Sequence, residues 1–379
     1  MKVFSARRLV IARQRRGLTK KALADTIGVS GQSLTFWEEG QRFPSDKAVF
    51  AIAATLRFPI GFFYAPDIDH IDLKAISFRS RRSMTAATGN RARASGDIAA
   101  SLITPEFMRL FKFPVIDVPD LSDESPENAA ALLRDYWKLG QGPISNMVHL
   151  LESKGVQVFW LNESSPCVSA VSFWREQQPF VILNSTNPAG DRARFDCAHE
   201  LAHLVLHRHD SDLDGKEVEA QADCFAGAFL LPADQFYRES PRYPILTEFF
   251  PLKERWGVSI QAMIRRYRDV GKMSPWQYHI TCKQVSANGW RTKEPVSIKR
   301  EVSQVHDIVY SRLLEKGISP IEFAQEINLT QEELMDLTPV AQKYMRSVCG
   351  VKNDVTVAGD EDTTVIERGG LRLEVYRSA

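Results

Sequence analysis

Long apolar runs are missing from this chain. No stretch approaches the 18 or so consecutive apolar residues of a membrane-spanning helix. The basic first residues lead into no apolar h-region, so neither a membrane span nor a secretory leader is expected. Cysteine is scarce: five residues, at 167, 197, 224, 282 and 349, with no CxxC pair. An odd, scattered set argues against a disulfide framework and for reduced thiols in the cytoplasm. Net charge is almost absent, +1 over 379 residues. Nothing in the bulk composition, 44% hydrophobic and 25% charged, departs from that of a folded protein. The length suits two or three domains.

The near-zero charge hides a sharp division. Residues 1–64 carry eleven Lys/Arg against four Asp/Glu. Residues 65–73 hold three Asp and no base, and residues 74–96 hold Lys74, Arg79, Arg81, Arg82, Arg91 and Arg93 with no acid. The remainder is net −9. A basic front on an acidic body points to an anionic partner for the front, with nucleic acid the natural choice.

One stretch organises the rest. Phe195–His207 contains His199-Glu200-x-x-His203. On a helix, residues four apart share a face, so two imidazoles at this spacing reach one Zn²⁺ at bonds of about 2.0–2.1 Å. Glu200, beside the first imidazole, is placed to act as general base. Asn187-Pro188 reads as the helix start, and Phe195, Ala198, Leu201, Ala202 and Val205 give apolar flanks. A catalytic zinc takes three protein ligands, and three candidates exist for the third. His207 lies eight residues from His199, about 12 Å along a straight helix, which suits packing or support rather than a shared ion. His209 has metzincin spacing, but Leu206 stands where that turn requires Gly. Glu219 sits on a second apolar helix that stops at Pro232.

The two segments resemble the ImmA/IrrE metallopeptidases, whose signature is HExxH followed by ExxA(N/D)xFAxxLLxP. The match falls on Glu219, Ala222, Asp223, Phe225, Ala226, Leu230, Leu231 and Pro232, within a region of similarity over roughly residues 125–290. The resemblance implies His199, His203 and Glu219 as ligands of one catalytic Zn²⁺ and Glu200 as general base. Asp223 stands where Asn is commoner, a change expected to matter little. Val156–Leu161, Val168–Trp174 and Pro179–Leu183 read as strands, the last two as a hairpin beside the active helix. In zincin folds such an edge strand pairs with extended substrate backbone. The segment Trp256–Tyr267 reads as a Ser-capped helix in which Arg266 is expected to form a structural ion pair, with an approach to the substrate or an oxyanion as the alternative. Tyr267, Tyr278 and His279 remain as candidates to polarise a scissile carbonyl.

The front is a string of short helices with Gly turns: Arg7–Arg13, then Thr19 capping Lys20–Ile27, then Ser30 capping Gln32–Glu38. Over about residues 5–64 it resembles the helix-turn-helix of Xre/Cro-type repressors, in which the third helix enters the major groove. The match directs Gln32, Ser33 and Phe36 at base edges and Lys20, Lys21 and Arg42 at phosphates. The alternative is a helical adaptor that has lost DNA binding. After it, Ser77-Phe78-Arg79-Ser80-Arg81-Arg82-Ser83 resembles a Phe-Arg motif common in family members that carry such a domain. Its bases would touch phosphate or dock on the acidic body.

The C-terminal region repeats the front. Gly317, Ser319, Phe323, Ala324, Ile327, Leu329, Thr330 and Leu334 copy the pattern of Gly17–Leu34 at an offset of 300. The copy's third helix carries Glu332, Glu333 and Asp336 with no base, which would repel phosphate. It reads as a helix-turn-helix-like fold used for packing, dimer contact or partner binding. Residues 353–379 read as a β-hairpin around Gly369-Gly370.

The expected architecture is α+β and multidomain. It comprises an all-α helix-turn-helix domain (1–64), a basic linker (65–97), a zincin-like metallopeptidase domain with its HExxH helix on a small sheet (98–290), and a mainly helical C-terminal region with a short hairpin (291–379). The expected function is a cytoplasmic, DNA-binding zinc endopeptidase. It would cleave a transcriptional repressor or other regulator in a stress response or mobile-element control. Double-stranded DNA, a protein substrate and a second copy of the chain are the expected partners, and no membrane. Two alternatives stand beside it: a transcriptional regulator whose peptidase-like body senses zinc or a ligand, and an antitoxin-like interaction protein.

Overall fold

The computed structural model describes residues 3–68, 71, 77–78, 85–163, 169–186, 189–208, 215–345, 363–368 and 371–376. The fold begins with α1 (Ala6–Arg15), α2 (Lys20–Ile27), α3 (Gly31–Glu38) and α4 (Asp46–Leu56), followed by a 3₁₀ turn at Ile60–Tyr64. Each helix starts at a hydroxyl cap: Ser5, Thr19, Ser30 and Ser45 accept from the backbone N–H three residues on. Gly28 ends α2 at φ +72°, a left-handed geometry that glycine adopts without penalty. Leu9, Leu23, Leu34, Val49, Ile52 and Leu56 fill the centre of this bundle.

The body that follows is built on a sheet of four strands in the order β1-β4-β5-β3. These are β1 (Ser77–Phe78), β3 (Gln157–Leu161), β4 (Ala170–Arg175) and β5 (Gln178–Asn184). Strand β3 runs parallel to β5, while β4 runs antiparallel to both β5 and β1. The remaining strand of the body, β2 (Phe111–Lys112), joins a second sheet with β6 (Thr363–Arg368) and β7 (Leu371–Tyr376) in the order β2-β7-β6. The expected C-terminal hairpin is therefore present, and its Gly369-Gly370 turn lies outside the described residues.

Period-two alternation makes the four-stranded sheet a wall between two cores. Phe159, Leu161, Val171, Phe173, Phe180 and Ile182 face one way and join the core of the N-terminal bundle. Val158, Trp160, Ala170, Val181 and Leu183 face the other way. They pack with α7 (Pro126–Tyr136), α8 (Met147–Ser153), α9 (Gly190–Leu206), α10 (Gly215–Leu230), α11 (Ala233–Glu239), α12 (Phe249–Trp256), α13 (Ile260–Asp269) and α14 (Pro275–Ala287).

The expectation of a basic linker over 65–97 fails in its second half. Ala86–Ile98 is α5, capped by Thr85 and largely buried. It continues through a π-helical turn (Ala99–Ile103) into α6 (Thr104–Leu110). Pro105 explains the irregular turn, because it has no N–H for the helical ladder. Small residues let α5 lie between α1 and the sheet; a Cβ on Gly96 would sit 3.0 Å from the Phe173 ring and 3.1 Å from Ile71. Arg91 and Arg93 dock inward, on Glu163 at 2.8 Å and on Gln14 at 2.7 Å. Lys74, Arg79, Arg81 and Arg82 lie outside the described residues.

The sequence repeat is a structural repeat. Helices α15 (Gln304–Glu315), α16 (Pro320–Glu326), α17 (Gln331–Leu337) and α18 (Ala341–Met345) follow the N-terminal order. Ser319 and Thr330 cap where Thr19 and Ser30 cap. Asn328, at φ +57°, takes the left-handed place of Gly28. Of the three uses open to this unit, packing within the chain is the one observed. Glu333, 1% exposed, accepts from Arg15 at 2.8 Å and also from Arg16, and Asp336 pairs with Arg15 at 3.1 Å. Tyr310, Phe323, Leu334 and Leu337 complete the core that the N-terminal bundle shares with the sheet.

Candidate metal centre

Helix α9 starts at Gly190, with Ala189 in the cap position and no side-chain cap. Asn187 and Pro188, read as the start, lie outside the described residues. The chain anchors this end through its own later segment. Gly190 N–H donates to Ile298 O at 3.2 Å, and a Cβ on Gly190 would fall 2.5 Å from the carbonyl oxygens of Ile298 and Lys299. Glycine is required by that approach. The helix is almost wholly buried, as its apolar flanks demand.

Helix α10 packs along α9 and presents Glu219 and Asp223, one turn apart, to it. The Nε2 atoms of His199 and His203 are 3.2 Å apart, and Glu219 oxygens stand 3.3 Å and 3.6 Å from them. Tetrahedral zinc with ligand bonds of about 2.0–2.1 Å holds its ligand atoms about 3.3 Å apart. His209 lies outside the described residues. Among the described residues, His199, His203 and Glu219 are the group whose ligand atoms come within 4.8 Å of one another.

The far side of each imidazole is also built. His199 Nδ1 lies 3.0 Å from Asp223 Oδ1, so it carries the proton and leaves Nε2 with a lone pair. Gln221 Oε1 is 2.9 Å from His207 Nε2, and His207 Nδ1 is 3.0 Å from His203 Nδ1. If the Gln221 amide oxygen accepts, His207 donates from Nε2 and accepts at Nδ1. The His203 proton then lies on Nδ1, and its Nε2 also faces the site with a lone pair. His207 is thus a support for His203, as its spacing indicated. Asp223 does more than expected: it orients His199 and is itself held by Arg265 at 3.1 Å.

Glu200 is 1% exposed. Ser172 Oγ, on β4, donates to its Oε2 at 2.6 Å, and Oε1 has no partner among the described residues. Burial pushes its pKa up to about 7, against the opposing pull of His199 and the Ser172 hydrogen bond. A buried carboxylate with one oxygen held and one free is the residue a metal-assisted hydrolysis needs. The donor set, the two imidazole tautomers and this orphaned oxygen all fit zinc.

The other candidates separate. Tyr267 is in the core, its OH donating to Pro241 O at 2.7 Å. His279 is exposed. Tyr278 lines a cavity of about 620 Å³ with Phe195, Asp223, Arg265 and Trp290, beside the metal centre. Arg266 has the structural role expected, donating to both oxygens of Glu127 at 2.6–2.7 Å and to Leu231 O at 2.8 Å, where α10 ends. Sequence reasoning did not single out Ser172 or Gln221. The alternation of β4 was the available signal for Ser172; nothing marked Gln221.

In the N-terminal unit, Lys20, Lys21, Gln32 and Arg42 are exposed, and Ser33 and Phe36 are half-buried. Lys20 lies 3.5 Å from Glu38. The Arg42 guanidinium stacks 4.9 Å from the Phe36 ring centre, which accounts for an aromatic side chain on a polar face.

Residues 9–63 match a family model described as Helix-turn-helix. Residues 151–268 match a peptidase family model described as IrrE N-terminal-like domain. The two follow one another in the order expected from the sequence. No curated protein matches the chain. No helix among the described residues is long and apolar enough to cross a membrane.

Proposed function

We propose that this chain, a helix-turn-helix domain followed by an IrrE-like peptidase domain, is a zinc-dependent endopeptidase that works at DNA. Its substrate on this reading is a transcriptional repressor or another regulator, cut in a stress response or in control of a mobile element. The observation that carries the reading is the convergence of His199, His203 and Glu219 beside Glu200, whose Oε1 is buried without a partner.

His199, His203 and Glu219 would hold the ion. Bound there, zinc supplies a Lewis acid for the scissile carbonyl and for the attacking water. The protein's part is proton handling and positioning. Ser172 fixes Glu200 Oε2, so Oε1 is the oxygen that takes a proton from water and returns it to the leaving amine. Asp223 and the His207–Gln221 pair keep both imidazoles facing the ion. Strand β4 lies along α9, and extended substrate would pair with the side of it that β1 occupies. Gln32, Ser33 and Phe36 would read base edges, while Lys20, Lys21 and Arg42 bind phosphate.

A second reading, a transcriptional regulator whose peptidase-like body senses zinc or a ligand, is favoured by one observation. The DNA-binding bundle shares a core with one face of the peptidase sheet. One experiment separates the two. Protein N-termini are compared in cells carrying the wild type or Glu200→Gln, with and without DNA damage or oxidative stress. New N-termini that depend on Glu200 establish the peptidase and identify its substrate. Identical termini under all conditions, with zinc content and operator binding intact, establish the sensor.

A further inference from the structure

The Phe-Arg motif after the DNA-binding bundle has no part in the function so far, yet two of its residues pair with the strand whose Ser172 holds Glu200. Ser77 pairs with Ser172 and Phe78 with Val171, antiparallel, on the side of β4 away from β5. Ser172 is the residue whose hydroxyl holds Glu200. The backbone of β1 therefore lies against the point of β4 tied to the general base.

A strand has one row of N–H and C=O groups on each side. The row of β4 facing β5 is taken along the whole strand, from Ala170–Leu183 to Arg175–Gln178. An extended peptide that adds to β4 next to Glu200 must use the other row, where β1 is paired. The two cannot occupy it together. The β1 ladder is only two residues long, and each of its hydrogen bonds is modest in net strength, so an incoming peptide can displace it.

We propose that Ser77–Phe78 is a resident competitor at the peptide-binding edge of β4, an internal strand that substrate backbone must displace before Glu200 can act. This rests on the peptidase reading for what is excluded; the β1–β4 contact itself does not.

The test uses the full zinc-loaded chain and a Ser77→Pro/Phe78→Pro variant, which removes the β1 N–H that faces β4 whichever residue carries it. Hydrogen exchange reads the amides of Val171 and Ser172, and a library of quenched peptides reads cleavage. The expected result is loss of exchange protection at the one of these two amides that points towards β1, the other remaining protected by β5, and a fall in KM of about tenfold, equivalent to 1.4 kcal/mol, with kcat unchanged. A synthetic peptide of residues 73–83, added to the variant, should restore protection and inhibit competitively. Unchanged protection and KM in the variant would overturn the proposal. So would Glu200-dependent cleavage within 73–83 of the wild type, which would make the segment a substrate. If no form cleaves any peptide, the peptidase reading falls, and the exchange result alone decides whether β1 covers an edge that an added peptide can take in its place.

Discussion

Two helix-turn-helix units stand 300 residues apart in this chain, and they differ in what they do with charge. The N-terminal unit exposes Lys20, Lys21, Gln32 and Arg42 around its third helix. The C-terminal unit keeps the same hydroxyl caps, the same left-handed turn and the same apolar positions, and buries Glu333 of its third helix against Arg15 and Arg16. The caps, turn and core positions specify the fold. The acids on the C-terminal third helix tie it to the other unit through Glu333, while the N-terminal third helix, with Glu38 as its one charged residue, is the one proposed to meet nucleic acid. A motif match to the fold alone would not have told them apart.

The largest expected effect comes from breaking the charged contact between them. Glu333→Ala leaves Arg15, buried, without its closest carboxylate and should cost about 3–5 kcal/mol in denaturant unfolding. Glu332→Ala, exposed on the same helix, should stay within about 0.5 kcal/mol. The contact also has a pH signature. Burial alone would raise the Glu333 pKa, but Arg15 and Arg16 outweigh it and hold the pKa below its usual value. Its contribution is therefore complete above the unfolded value of about 4.3 and is lost as pH falls through the folded value. A stability profile of Glu333→Gln should lose that acid limb.

Next in size is DNA reading. Gln32→Ala should cost about 1–3 kcal/mol at one base pair and relax specificity there, measured by anisotropy on a set of single-base operator variants. Lys21→Ala should weaken all sequences alike and lower the salt slope by about one. If Gln32→Ala weakens every sequence equally, the unit does not read bases as assigned. The smallest effect concerns the turn. Gly28→Ala meets no atom within 4 Å, so its cost should be the backbone penalty alone, about 1 kcal/mol. Asn328→Gly, at the equivalent position, should be neutral to within a few tenths of a kcal/mol. Equal losses at both sites would mean that one turn is held by more than its φ angle.

The candidate metal centre was legible because its residues are local. His199, Glu200 and His203 share one helix at ligand spacing, while Glu219, on the next, was singled out from three candidates by the family resemblance. The caps and Gly turns of the two small bundles were legible for the same reason. What was missed depends on distance in sequence or on the absence of bulk. Nothing within α1 marks Arg15 as the partner of a residue 318 positions away. Helix α5 was read as a linker because its arginines and small residues, Ala92, Ala94, Ser95 and Gly96, show no apolar stripe. Those small residues are what a helix wedged between α1 and a row of phenylalanines requires. Asp223 was undervalued because the resemblance recorded what stands at that position in relatives, while its hydrogen bond to His199 is a property of the packed pair.

The shared sheet has a consequence for anyone who would divide the protein. Phe159 and Trp160 are neighbours in β3, yet one belongs to the core that includes the N-terminal bundle and the other to the core of the peptidase helices. Heat cannot melt either side without stripping a face of the same strand. Calorimetry should therefore show one endotherm rather than a series. A fragment ending after the peptidase segment would leave Arg15 and Arg16 facing water where Glu333 belongs.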